Sequence, residues 1–599
     1  MNLHGQPFAD LADSQQALAQ ADPHSRIFLH GPAGSGKSTV GVARLEFLLS
    51  AGVPGGSILI LTPQRTLQDP YLLLSRSPRR TAGTEVETLT IGGLARRLCD
   101  LFWPIAAERA GFTHPERPPF FLTLESSQYY MSHIVRPLLD QGYFQSVTMD
   151  RNRLYSQILD SLNKAAGVGF PHAEIGGRLD AAWLGDAAQR RIYTDAQDCA
   201  SRFRDFCLQH NLLDFSLQLE VLWFHLWTDP LVRDYLGRTY RHLIYDNVEE
   251  DVPRAHDVVR EWLPRLDSAL LIYDEDAGYR RFLGADVDSG WDLRQVCDRE
   301  QSLHASFVMP PELGKLAISL AAAIQEPSVV APGRRRASGL EQEPALLQRI
   351  STRFYPELLD QVVEHIHSLI TDDGISPSEI AIVGPYLSDA LRFAITSRLE
   401  SRGLPVRTHR PSRSLRDEAA ARALLTLSSL AHPHWNLPPH KFDVARAFMV
   451  GLGMDLVRAH LLAEIVYRRP STLSSFQDIN ADVQERLTYV YGARYSALRD
   501  WLLSYLQASP QPLDYFLRRL FGEVLSQPGF GFHKRLDEAR VAGSLIESVR
   551  KFQGDYGTLF QRTGGIFSEG YLGNLFVEAH GYALGGSGGN VSLIFTLLS

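Results

Sequence analysis

Cysteine is scarce in this 599-residue chain: Cys99, Cys199, Cys207 and Cys297 are the only four, and no two form a C-x-x-C pair. Their spacing excludes a disulfide framework, a zinc ribbon and a thiolate-held iron–sulfur cluster, and it points to a reducing compartment. No run of about 18 apolar residues occurs, so no segment reads as membrane-spanning. The opening stretch MNLHGQPFADLADSQQ carries acids and lacks an apolar core, which is not the pattern of an ordinary signal peptide; a cytoplasmic location is the expectation. An excess of positive charge is missing too. With Lys+Arg 60 against Asp+Glu 68, the net charge is −8. Bulk charge therefore does not advertise nucleic acid, although a local basic groove in an acidic protein still tracks a phosphate backbone. The histidines show no H-E-x-x-H or comparable ligand set, so no zinc site is expected, and no Ser/His/Asp or Cys/His nucleophile set is assembled.

What is present is ordinary globular composition, 44% hydrophobic, 21% charged and 10% aromatic. The length exceeds what one core serves, so several domains are expected. RIFL (26–29) reads as a short buried strand running into HGPAGSGKST. The stretch after it places Val42, Leu45, Leu48 and Leu49 at helical spacing. SILILT (57–62), LIY (243–245), ALLIY (269–273) and IAIVGP (380–385) repeat the apolar-strand pattern, with acids directly after the two LIY runs. Strands alternating with helices predict parallel α/β layers, in which ligands bind beyond the carboxyl ends of the strands. Between residues 116 and 237 the strand pattern vanishes and helical stretches replace it. Residues 326–344 read as a Pro/Arg/Gly-rich linker, and 431–552 is helical again, with the Trp and Leu spacing of 494–506 forming a core stripe. From Gly554 to Gly589 there are 11 glycines in 36 residues and no lysine, the composition of a poorly packed remnant of a chain cut short.

The segment Gly31-Pro32-Ala33-Gly34-Ser35-Gly36-Lys37-Ser38 matches G-x-x-x-x-G-K-[ST], with a strand before it and a helix after. Glycines allow backbone N–H groups to close around phosphate oxygens. Lys37 reaches the β- and γ-phosphates of ATP, Ser38 offers a hydroxyl to Mg²⁺, and the helix opened by Lys37, Ser38 and Thr39 directs its positive end at the anion. Such a loop needs an acid at the end of a neighbouring strand for the Mg²⁺ shell. Asp246 is the first candidate and Asp274 the second.

With these motifs in place, the chain resembles the UvrD/Rep type of superfamily 1 DNA helicase. GPAGSGKST looks like that family's first motif, and Gln15, 19 residues before Gly34, resembles its adenine-reading glutamine. LILTPQRTL (59–67), TIGGLARRL (90–98), RHLIYDNVEEDVPRAHDVVREWL (241–263) and LLIYDEDAGYRRFLGA (270–285) are similar to further motifs. SPSEIAIVGPYLSDALRFAITSRLESRGLPVRTH (376–409) looks like the opening of a second motor domain. The resemblance implies two RecA-like P-loop domains of parallel sheets flanked by helices. The first comprises residues 1–115 and 238–325 with a helical insertion at 116–237. The second begins at 345–430, is followed by an insertion-like 431–552 and a glycine-rich tail at 553–599, and is incomplete. It also implies ATP and Mg²⁺ as cofactors and 3′→5′ stepping along single-stranded DNA or at a single–double-strand junction. Arg65, Thr90 and Phe282 would face the DNA, Phe282 by stacking, and Phe307 would stack on adenine.

Several positions depart from the family. Its second motif reads Asp-Glu-x-Gln, whereas here Asp246 is followed by Asn247, Val248 and Glu249. Asn247 accepts no proton, and Glu249 or Glu250 is expected to stand in as the base if the strand slides in register, Glu249 first. Ala277, Leu283 and Val308 stand where the family has Gln and two Arg, and the motifs of the second half of the second motor domain are not found. Loss of one such group costs roughly 10²–10⁵ in rate, so hydrolysis is expected to be weak. Three readings follow: a UvrD-like helicase or translocase in repair or recombination; an inactive helicase-like scaffold subunit, AddB-like, binding ATP and DNA beside a nuclease or repair partner; and an unrelated P-loop phosphotransferase.

Overall fold

The computed structural model describes residues 11–75, 83, 85–186, 190–275, 277–306, 308–324, 350–384, 388–404, 406, 415, 418–435, 438–468, 472–509 and 511–562. Two compact units divide them. The described residues of 1–102, 167–169 and 221–409 form the first, and those of 103–166, 170–220 and 410–599 the second.

The first unit is α/β. Its strands β1 (Arg26–Gly31), β2 (Ile58–Leu61), β3 (Glu87–Leu89), β4 (His242–Tyr245), β5 (Ser268–Asp274) and β6 (Arg299–Ser302) form one sheet in the order β3-β2-β4-β5-β1-β6. Every pairing is parallel, with Gly31 opposite Asp274 and Leu61 opposite both Leu89 and Tyr245. Because all six strands run the same way, the residues that follow each of them emerge on one edge of the sheet. β2 and β4 are buried at every position, which is why both read as continuous apolar runs rather than as alternating ones. Helix α1 (Asp13–Ala19) is fixed to helix α2 (Lys37–Ser50) by Arg44. This buried guanidinium donates to the carbonyls of Ala19 (3.3 Å), Ala21 and Asp22 (3.0 Å), where α1 ends and its carbonyls lack helical partners. Helices α3 (Asp69–Ser75) and α4 (Ile91–Leu101) follow β2 and β3.

Later in the same unit, the helices Tyr355–Thr371 and Asp389–Glu400 share a small core of Leu359, Val363, Ile366, Ile395 and Leu399. Ile380–Gly384, expected as a strand, carries no ladder among the described residues, and Ile382 and Val383 remain exposed.

The second unit is helical, apart from two-residue strand pairs. One of its cores gathers Leu424, Leu427, Phe448, Leu462, Tyr495, Leu498, Leu502, Phe516 and Leu520 among others, so the stripe expected at 494–506 is core. The insertion begins and ends earlier than its composition indicates. Trp103 packs on Phe112 within the second unit at 4.7 Å. The expected insertion's last residues belong to the first unit, where Trp227 meets Trp262 and donates to Glu261, and Phe102 meets Tyr235. Helical periodicity marks a helix but not the core it joins. The linker at 326–344 lies outside the described residues. The stretch read as a tail opens inside the helix Leu536–Arg562 and lies outside them from residue 563. Among the described residues no helix is long and apolar enough to cross a membrane.

Candidate phosphate-binding site

The loop between β1 and α2 turns on three glycines with positive φ: Gly31 at 154°, Gly34 at 78° and Gly36 at 79°. A side chain is excluded at Gly31 for a second reason, since a Cβ there would overlap the carbonyl oxygen of Leu303. Gly36 caps α2 in the left-handed conformation, and the first intrahelical bond is Val40 N–H to Gly36 O at 3.0 Å. The N–H groups of Lys37, Ser38 and Thr39 therefore have no acceptor within the helix and open toward the loop.

Lys37 is only 7% exposed. Its ammonium donates to Gly31 O at 2.8 Å and Pro32 O at 2.6 Å, and lies 3.5 Å from the Asp274 carboxylate. Ser38 Oγ donates to Asp246 Oδ1 at 3.2 Å. The two acids weighed for the metal shell thus have different neighbours, Asp246 beside the hydroxyl and Asp274 beside the lysine. Burial pushes the Asp246 carboxyl up from its ordinary range, against the hydrogen bonds from Tyr71 and Ser38 and the charge of Lys37. Oxygen donors of these two kinds, converging at the mouth of a loop lined with N–H groups, match what Mg²⁺ and a polyphosphate require.

Gln15 lies beneath the loop. Its Nε2 donates to Ser35 O at 3.2 Å and its Oε1 accepts from Ala12 N at 3.1 Å, so both ends of the amide support backbone, where the resemblance has it reading a base. Ser35 Oγ donates to Pro32 O at 2.9 Å, Ala33 is exposed, and Thr39 is half-buried on the first turn of α2. At the end of β1, the His30 ring meets Glu275 at 2.5 Å and Glu300 at 3.3 Å, and its hydrogen bond holds the Glu275 carboxyl below its usual range. Phe307 lies outside the described residues. Its neighbour Ser306 donates to Gly34 O at 3.3 Å.

Beyond β4, Asn247 adopts a left-handed φ of 58°. Glu249 does not face the loop mouth. It is fully buried, accepting Asp274 N–H at 2.9 Å and Asn247 Nδ2 at 3.3 Å, and it ties the ends of β4 and β5 together. Burial raises its pKa to about 8, so near neutral pH it holds a proton and is not in the form that accepts one from water. This carries a pH signature. The ordinary value is 4.5, so between there and about 8 the folded chain binds the extra proton, and the group's contribution to stability falls as pH rises through that window. Glu249→Gln removes the contribution. Unfolding free energies at 25 °C, from chemical denaturation between pH 5 and 8.5, decline less steeply in the variant, by up to about 1.4 kcal/mol per pH unit. Equal slopes would show that Glu249 is ionised throughout.

Of the residues expected to face DNA, Arg65 is exposed after β2 and Phe282 is exposed after β5. Their loops are joined where Arg280 donates to Pro63 O at 2.9 Å, while Glu250 accepts the N–H groups of Gly278, Tyr279 and Arg280. Thr90 has a local task as well, its hydroxyl capping α4 through Gly93 N–H at 3.1 Å. Two residues escaped sequence reasoning. Arg44 reads as one more charge on a helix, and Tyr71, whose hydroxyl donates to Asp246 Oδ2 at 2.8 Å, is 175 residues from its partner.

The class that fold and site define is an α/β chain presenting a glycine loop and a buried lysine at the carboxyl edge of a parallel sheet. No protein-family model matches the chain, and a search of curated proteins finds no match either.

Proposed function

We propose that this chain binds ATP–Mg²⁺ at the loop 31–38 and acts on single-stranded DNA as a UvrD-like helicase or translocase whose hydrolysis is slow. The observation that carries the reading is the convergence of Lys37, Ser38 and Asp246 at the carboxyl edge of the sheet. Lys37 and the N–H groups of 37–39 hold the phosphates and offset their charge, with Gln15 bracing the loop from below. Ser38 and Asp246 hold Mg²⁺, whose contribution is to neutralise charge on the terminal phosphates. The six-stranded sheet of the first unit makes one RecA-like domain, and Ile380–Gly384 with the helix Asp389–Glu400, in the same compact unit, opens a second. DNA follows the edge marked by Arg65, Thr90 and Phe282, a cation and an exposed aromatic suiting backbone and base respectively.

A second reading, the non-hydrolysing scaffold, is favoured by Asn247 at the usual base position and by the burial of Glu249. One experiment decides between them: ATP turnover with and without a single-stranded oligonucleotide, on the unaltered chain, Lys37→Ala and Asn247→Glu. A motor shows slow turnover that DNA stimulates, that Lys37→Ala abolishes, and that Asn247→Glu raises roughly tenfold or more. A scaffold binds nucleotide and DNA with no turnover until Asn247→Glu. Turnover indifferent to DNA but stimulated by a small acceptor overturns both in favour of a phosphotransferase.

A further inference from the structure

We infer that Tyr71 is the positioning residue of the metal shell: its hydroxyl fixes the Asp246 carboxylate so that Oδ1 faces Ser38, and so sets how strongly nucleotide affinity depends on a divalent cation. The inference rests on the nucleotide reading above. The two oxygens of Asp246 have separate partners. Oδ1 accepts from Ser38 Oγ at 3.2 Å and Asn247 N–H at 3.0 Å, on the loop side. Oδ2 accepts from the Tyr71 phenol at 2.8 Å, on the buried side, and no other donor reaches it among the described residues. A carboxylate held at one oxygen by a buried donor cannot turn about its own axis, and the other oxygen stays where a cation shared with Ser38 would find it.

The surrounding sequence makes room for this phenol. Gly41 lies inside α2, where glycine weakens a helix, and a Cβ added there would overlap the Tyr71 hydroxyl and lie 2.9 Å from Ile272 Cδ1. Tyr71 is fully buried, and its hydroxyl proton points at Asp246 Oδ2. The filled space alone would suit phenylalanine. What the hydroxyl adds is the bond to Oδ2.

The test uses the full chain and a fluorescent ATP analogue, with Kd measured in Mg²⁺ and in EDTA for the unaltered chain, Tyr71→Phe and Gly41→Ala. In Tyr71→Phe the enhancement of affinity by Mg²⁺ falls roughly tenfold while the Kd in EDTA is unchanged, a split that a general loss of packing would not produce. Gly41→Ala, which improves helix propensity while displacing the phenol, gives the same split and carries the test if Tyr71→Phe does not fold. A Mg²⁺ enhancement equal to that of the unaltered chain in both variants overturns the positioning role while leaving nucleotide binding intact. Failure of the unaltered chain to bind the analogue in either condition overturns the nucleotide reading, and the role of Tyr71 with it.

Discussion

Replacing Lys37 with alanine lowers the affinity for ATP–Mg²⁺ by roughly a hundredfold to a thousandfold. The ammonium lies within the loop, 2.8 and 2.6 Å from the carbonyls of Gly31 and Pro32 and 3.5 Å from Asp274. Its polar neighbours are therefore oxygens, and a phosphate chain adds more. Without the cation, those oxygens and the phosphates face one another with only backbone N–H groups between them. Truncating one member of a buried, hydrogen-bonded charge pair costs about 2–5 kcal/mol, which brackets that range. The loss grows with the number of phosphates, larger for ATP than for AMP, because the lysine serves the β and γ positions. Lys37→Arg does not restore binding, since a planar fork cannot enter a ring of carbonyls built around a compact ammonium. Calorimetric titration with ATP, ADP and AMP reads all of this at once. Affinity for ATP within threefold of the unaltered chain would remove residues 31–38 from the nucleotide site.

How much of this was legible beforehand follows from sequence distance. The strand, loop and helix over 26–50 were readable because every determinant is local: an apolar run, glycines where φ must be positive, and apolar residues at helical spacing. The parallel sheet was readable because strands buried on both faces carry unbroken apolar runs, as in β2 and β4. The partition of acids was open between Asp246 and Asp274, since both follow such a run; only the strand order places one beside Ser38 and the other beside Lys37. Tyr71 and Arg44 were invisible for the same reason. A buried phenol and a buried guanidinium look like any others until the backbone brings Asp246 to the one and the end of α1 to the other. The insertion boundaries shifted because long-range contacts choose the core that each flank joins, Thr113 N–H with Leu208 O at one end and Trp227 with Trp262 at the other, and no local pattern announces them. Glu249 differs in kind. As an acid near the end of a strand it suggested chemistry, but burial and two hydrogen bonds make it a brace.

Arg204→Ala destabilises the helical unit by about 3–5 kcal/mol. Arg204, on the helix Arg190–Gln209, is fully buried and donates to Asp214 at 2.8 Å, Ser216 at 2.9 Å and Glu220 at 3.0 Å. Asp214 and Glu220 are buried too, so truncation leaves two carboxylates without their cation. Lysine does not replace it, because a point charge cannot span acceptors that a fork reaches together. Replacing all three charges is milder. In Arg204→Met with Asp214→Asn and Glu220→Gln no unpaired charge remains, and the Asp214→Asn change keeps one side-chain oxygen, which caps the N–H group of Leu217 but not that of Ser216 as well. Chemical denaturation orders the three proteins as unaltered chain, then triple variant, then Arg204→Ala. An Arg204→Met single variant as stable as the triple would place the loss in packing around the arginine's aliphatic stem and take the electrostatic account with it.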